Sequence, residues 1–349
     1  MKDIKYLSAY LLPASALTAL YWQGGWAWAT VLLAFVIIPV AEIFTPESTD
    51  NVPPELENSR SGIRFFDWLL YLNIPLVFGI VIWYVQVVTA GNISNLELVG
   101  LTLSVGIIIG ANGINVAHEL GHRSNPLEQN LSKLLLLPAL YQHFFVEHNR
   151  GHHKHVATDK DPASARFGEN VFAFWLRSVT GSWRSAWAIE RERLAKEGLP
   201  ESSWHNEMLR FTVFQTAWLA GIGYLFGWAG LLSAIVVAAI GILLLETINY
   251  IEHYGLRRRL LDSGRPEPVG PEHSWNSNHE LGRIFLYELT RHSDHHFKAT
   301  RKYQILRHMD QSPQLPFGYP TSIILALLPP LWFAVMHPRL RQTPVSVST

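Results

Sequence analysis

Residues 96–123 read LELVGLTLSVGIIIGANGINVAHELGHR. A helix needs about 20 mostly apolar residues to cross a bilayer, and the part of this stretch before His118 is long enough. It runs without an intervening loop into His118 and His122, which are spaced to share one helix face. An apolar helix that ends in two imidazoles brings metal-binding chemistry to the edge of a membrane.

Five further blocks of this kind lie outward from it: 6–22, 25–44, 65–89, 211–228 and 231–251. Lys2 and Lys5 precede the first as they would a signal peptide. No small-residue cleavage site follows, however, and the second block begins almost at once, so 6–22 reads as a retained helix. None of the 28 Lys and Arg residues falls in the short connections 23–24, 90–95 and 229–230; all lie near the N-terminus, in 45–64, in 118–210 or after 251. Basic residues mark the cytoplasmic side, so both termini and every histidine cluster are expected there. Two shorter apolar stretches, 134–145 with Pro138 and 321–336 with Pro329 and Pro330, read as interfacial or buried helices.

The expected fold is therefore an all-α polytopic membrane protein with six transmembrane helices and a helical cytoplasmic part. Residues 1–117 carry spans one to four and a cytoplasmic loop at 45–64. Residues 118–210 form a histidine-rich helical region, 211–251 carry spans five and six, and 252–349 complete the cytoplasmic part. A second loop is expected at 262–278, which is rich in Pro, Gly and Asn/Ser.

Composition narrows the chemistry. A net charge of zero gives no reason to expect a nucleic-acid partner. The chain has no cysteine, which excludes disulfides, thiolate-bound haem and an iron–sulfur cluster ligated by its own cysteines. Histidine is abundant, with 16 residues. Four clusters stand out: HELGH at 118–122, EHNRGHH at 147–153, His253 alone in NYIEHYGL at 249–256, and HSDHH at 292–296. Helical spacing groups His118 with His122, His148 with His152, and His292 with His295 and His296. His153, about 100° round from His152, could reach a second ion. Nine imidazoles exceed the four that close a zinc site and suit two ions with four or five each. Imidazole suits zinc, copper, iron and nickel. Glu119, Glu252, Asp294, Asp159 and Asp161 are the carboxylates available to accept the outer ring N–H groups, with a solvated-face role open for each.

HELGH also fits the H-E-x-x-H zinc-protease pattern, in which Glu119 would be the general base. That reading leaves seven clustered histidines without a role. His143 and His155 flank the second cluster as lesser candidates, while His205, His273, His279, His308 and His337 read as ordinary surface or core residues.

With these motifs in hand, the chain resembles the membrane-bound alkane 1-monooxygenases, within the wider fatty acid desaturase–hydroxylase superfamily. The resemblance rests on HELGHR (118–123), EHNRGHH (147–153), NYIEHYGL (249–256), WNSN (275–278), LTRHSDHH (289–296) and PQLPFGYP (313–320). It implies a bacterial inner-membrane enzyme with two non-haem iron ions. The implied ligands are His118, His122, His148, His152, His153, His253, His292, His295 and His296. The implied reaction hydroxylates the terminal methyl of an n-alkane with O₂. Electrons come from rubredoxin, itself reduced by an NAD(P)H-dependent reductase. A superfamily member acting on an acyl or alkyl-aromatic substrate is the alternative. Arg150, Lys154, Arg257, Arg258, Arg259, Lys298, Arg301 and Lys302 are candidates for a patch that receives an acidic donor. Asn115, one turn deeper than His118 on the same face, is a candidate for the substrate path, with an interhelical hydrogen bond as the simpler role.

Overall fold

The computed structural model describes residues 2–343 and 346–347. It is mostly helical, and its two strands, Leu256–Arg257 and Ser346–Val347, are a two-residue antiparallel pair. The extreme termini, expected on the cytoplasmic side, lie outside the described residues.

Among the described residues, four helices are long and apolar enough to cross a membrane: Gly24–Phe44, Arg64–Ala90, Asn95–Gly121 and Glu207–His253. Together they contain five of the six expected spans, because the last one holds two. Its 47 residues would make a straight rod of about 70 Å, more than twice the bilayer core of about 30 Å. The rod breaks at Gly227, whose φ of 65° and ψ of −167° are non-helical. Only glycine adopts such a conformation freely. Leu231 approaches to 3.9 Å of the point where a Gly223 side chain would begin. An unbroken helix would hold residues eight apart much farther away. The remaining expected span, 6–22, consists of a 3₁₀ stretch Lys2–Tyr10 followed by the α-helix Leu11–Trp22.

A bent pair, Tyr319–Ala326 and Pro329–Leu340, turns through 119° at its break. With segments of about 12 and 18 Å, that angle leaves an end-to-end reach of about 16 Å, roughly half a bilayer core. This agrees with reading 321–336 as a non-spanning element. Loop 45–64 differs from expectation: Pro54–Ser61 is helical inside it, with Glu55 and Glu57 in the first turn and Arg60 in the last. Proline at the first helical position, followed by acidic residues, is the start signal that the polar composition obscured.

Asn95–Gly121 is the central helix, with 89% of its apolar window buried. Its Gly106 and Gly110, four residues apart, meet Ile240, Gly241 and Leu244 of the second arm of Glu207–His253 so closely that a side chain on either glycine would collide. Small residues at such a crossing let two membrane helices approach backbone to backbone. That approach brings His118 and His253, at the ends of these helices, to one site.

Candidate metal centre

Four elements converge on the site. The central helix supplies His118 and His122, the second of these at its cap. A continuous run of helix His143–Glu147, π-turn His148–His152 and helix His153–His155 supplies three more. His253 is the last residue of Glu207–His253, and the short helix His292–Phe297 supplies the final three.

The nine rings fall into two sets, His118, His122, His148, His153 and His295 in one, and His152, His253, His292 and His296 in the other. Within each set the ligand atoms all lie within 4.8 Å of one another. The sets adjoin, with the His153 and His296 rings 4.4 Å apart. This partition cuts across the grouping by helix face. The His148 and His152 rings stack 5.0 Å apart, as their spacing implies, but the Nε2 of His148 meets that of His153 at 3.1 Å. His295 likewise leaves His292 and His296, its Nε2 lying 2.9 Å from that of His118 and 3.1 Å from that of His153.

The donor set fits metal ions. The Nε2 of His122 is buried without a hydrogen-bond partner, which costs free energy unless something satisfies it. With a metal–imidazole bond of about 2.1 Å, neighbouring nitrogens sit about 3.0 Å apart at right angles and about 3.4 Å apart at the tetrahedral angle. The close Nε2 pairs here measure 2.9 to 3.2 Å. Such spacings are compatible with several imidazoles sharing one ion.

The five carboxylates have different surroundings. Asp161 accepts from the Nδ1 of His152 at 2.9 Å, from the Ala163 amide and from the Ser164 hydroxyl. Burial opposes its ionisation, but His152 and Ser164 hold its carboxyl down to about 2. Glu252 places Oε2 3.2 Å from the Nε2 of His292 and accepts from the Tyr319 hydroxyl at 2.8 Å. It therefore approaches the ring nitrogen that faces the site, not an outer N–H. The other three are not at the rings. Glu119 accepts from Arg123 and from the Tyr303 amide. Asp294 accepts from Arg301 and the Arg307 amide, tying down the chain beyond the last histidines. The Asp159 side chain is 88% exposed and lies 3.8 Å from Arg257. A carboxylate beside a histidine in sequence is captured by whichever arginine or amide it can reach.

With Glu119 engaged by Arg123 and His118 and His122 joined by three more rings, the zinc-protease reading loses both its base and its three-ligand site. His143 and His155 belong to neither set. Asn115 donates to the Leu286 carbonyl at 3.2 Å, not to Asn112, whose amide donates to Asn73. Tyr319, within the PQLPFGYP motif, was not singled out from sequence, because only the fold reveals that its hydroxyl reaches Glu252.

Residues 94–323 match the family model described as fatty acid desaturase. The chain is 41% identical to alkane 1-monooxygenase 2 of Pseudomonas aeruginosa, over 92% of this chain and 85% of the relative. It is 40% identical to alkane 1-monooxygenase 1 of the same organism, over 95% and 89%. With alkane 1-monooxygenase 2 of Alcanivorax borkumensis the identity is 38%, over 97% and 91%. The chain belongs to the alkane 1-monooxygenase family. As a family member it is a membrane protein, and its apolar helices agree with that.

Changing Asp161 to Asn in this alkane 1-monooxygenase relative is expected to weaken metal retention about 10- to 100-fold, the usual cost of losing a partner that orients a ligand. Chelator competition followed by metal analysis measures it. Retention equal to the parent would remove Asp161 from that role.

Proposed function

We propose that the chain is a di-iron alkane 1-monooxygenase that converts medium- or long-chain n-alkanes to 1-alkanols. His118, His122, His148, His153 and His295 hold one iron, and His152, His253, His292 and His296 hold the other. In the balanced reaction the alkane gains one atom of O₂, the second leaves as water, and two electrons and two protons are consumed. The observation that carries this reading is the pair of buried histidine sets, with an apolar cavity that ends at a residue hydrogen-bonded toward them. Ile38, Ala111, Leu244, Phe285, Leu286 and Tyr319 are among its walls. Tyr319 connects through Glu252 to His292.

The irons, when bound, supply oxygen activation at the end of this path. The chain's own residues do the rest. The apolar walls select and align a hydrocarbon and keep water from the rings. Asn115 anchors the backbone of Leu286 where the cavity approaches the site, and an Asn115→Leu variant is expected to alter chain-length preference while iron content holds. An unchanged product profile with a lower melting temperature would assign Asn115 to packing alone.

The chain has no redox group of its own beyond the irons, so electrons come from outside, and rubredoxin with its NAD(P)H-dependent reductase is the proposed source. The receiving surface is smaller than the sequence suggests. Arg150, Arg257, Arg259, Arg301 and Lys302 are paired with carboxylates and Arg258 donates to backbone carbonyls, whereas Lys154 and Lys298 remain exposed. The proposed topology is six spans in a bacterial inner membrane, with both termini and the metal site on the cytoplasmic side and boundaries at 117/118, 210/211 and 251/252. The basic-residue distribution and the Gly227 break support it. Metal analysis of purified protein, combined with product detection from octane plus rubredoxin and reductase, tests the whole reading. Two irons and 1-octanol are expected; an iron-free protein, or one that oxidises only acyl or alkyl-aromatic substrates, would overturn it.

A further inference from the structure

Away from the histidines, a dense group of charges sits at the start of helix Glu207–His253. Glu190 is fully buried and bridges Arg150, Arg193 and the Glu207 amide. Glu207 in turn accepts from Lys133 and Arg150, and Glu197 pairs with Arg193. Arg210 completes the group, and four cations then face three carboxylates. Arg210 reaches Glu207 only at 3.5 Å, and its Nε is buried without an acceptor.

Two cavities meet at this arginine. One, of about 470 Å³, is lined by Arg150, Arg193, Trp204, His205, Glu207 and Arg210. The other, of about 540 Å³, begins at Lys133 and Arg210 and continues along Leu134, Phe211, Phe214 and Trp218. Residues 207, 210, 211, 214 and 218 follow one helix face for about 16 Å, so a basic chamber opens onto an apolar groove along the same spanning helix. Trp204 packs edge-on against Phe214 at the rim, with ring centroids 6.3 Å apart. An aromatic belt occupies this depth of a membrane protein.

We infer that this is a seat for one anionic phospholipid of the surrounding bilayer. Its phosphate pairs with the partly exposed Arg210 guanidinium beside Arg150 and Arg193, and one acyl chain lies along Phe211, Phe214 and Trp218. Arginine matches phosphate in both charge and geometry, and the unbalanced positive charge favours a net-negative headgroup. The seat rests on Glu207–His253 crossing the membrane and not on the proposed chemistry at the irons.

The test uses the full-length protein in detergent, with phosphatidylglycerol, phosphatidylcholine and inorganic phosphate as probes. Binding is read by native mass spectrometry and by the shift in thermal unfolding. A single phosphatidylglycerol is expected to survive detergent exchange and raise the unfolding temperature. Arg210→Gln should weaken it about tenfold or more, and Ala217→Trp should exclude the acyl chain. Both variants should keep their iron and their hydroxylation activity. Phosphatidylcholine held as tightly, inorganic phosphate giving the full shift, or Arg210→Gln binding phosphatidylglycerol like the parent would each overturn the assignment. If Arg210→Gln loses iron through misfolding, Ala217→Trp decides, and normal phosphatidylglycerol binding by that variant sinks the proposal.

Discussion

Replacing His253 with alanine is expected to halve the iron content and reduce alkane hydroxylation by more than about 100-fold, beyond the loss typical of an outer partner. His253 is fully buried and stands alone in sequence, yet its Nε2 lies 3.2 Å from that of His292, within the four-ring set. Its other nitrogen is 3.5 Å from the His273 carbonyl and the Ser274 hydroxyl, which orient the ring. Without it three imidazoles remain on that side, while the five-ring set is untouched. His337 supplies the control. It bonds the Tyr254 hydroxyl at 2.9 Å and stacks on Phe167 at 4.3 Å, and belongs to neither set. His337→Ala should therefore cost about 1–2 kcal/mol of stability and leave iron and turnover near the parent's. Full iron and full turnover in His253→Ala would end the nine-ligand assignment at that position.

The contrast between these two histidines shows what could be read without coordinates. All nine clustered rings were legible from motif and position, and so was the placing of His118 and His253 at the ends of long apolar helices. Their division was not. Helical spacing groups His148 with His152, and their rings do stack, but nothing in EHNRGH shows that the His148 Nε2 meets His153. For HSDHH, i+3 and i+4 spacings both satisfy one helix face, and only the fold decides that His295 turns toward His118. Glu119, Asp294 and Asp159 miss the rings for a different reason. Glu119 and Arg123 are themselves an i, i+4 pair, so their mutual capture was visible in HELGHR, whereas Asp161 reaches His152 through a turn that no periodicity reveals. Five of the six apolar blocks fall in helices long and apolar enough to cross a membrane, and Gly227 is where two of them meet at a break.

Filling the apolar cavity at Ala111 is expected to produce the other large change. Ala111 lies in the π-turn Ile109–Ile114 of the central helix, seven residues and about 10 Å before His118. It is nearly buried and forms part of the cavity wall opposite Phe285 and Tyr319. The cavity is narrow, at about 50 Å³, so a hydrocarbon enters only if its walls yield. A phenylalanine at 111 occupies that space and gives the walls less room to move. One methylene in an apolar pocket changes discrimination by about 1–3 kcal/mol, and a ring obstructs several. Ala111→Phe should therefore lower hexadecane hydroxylation by more than about tenfold and octane hydroxylation by less. Iron content should hold, because the site's rings lie beyond the obstruction. Overpacking itself costs about 1–3 kcal/mol of stability, so unfolding is measured alongside the products. Protein that keeps its iron and fold, and oxidises both alkanes in the parent's ratio, would show that the hydrocarbon reaches the site by another route.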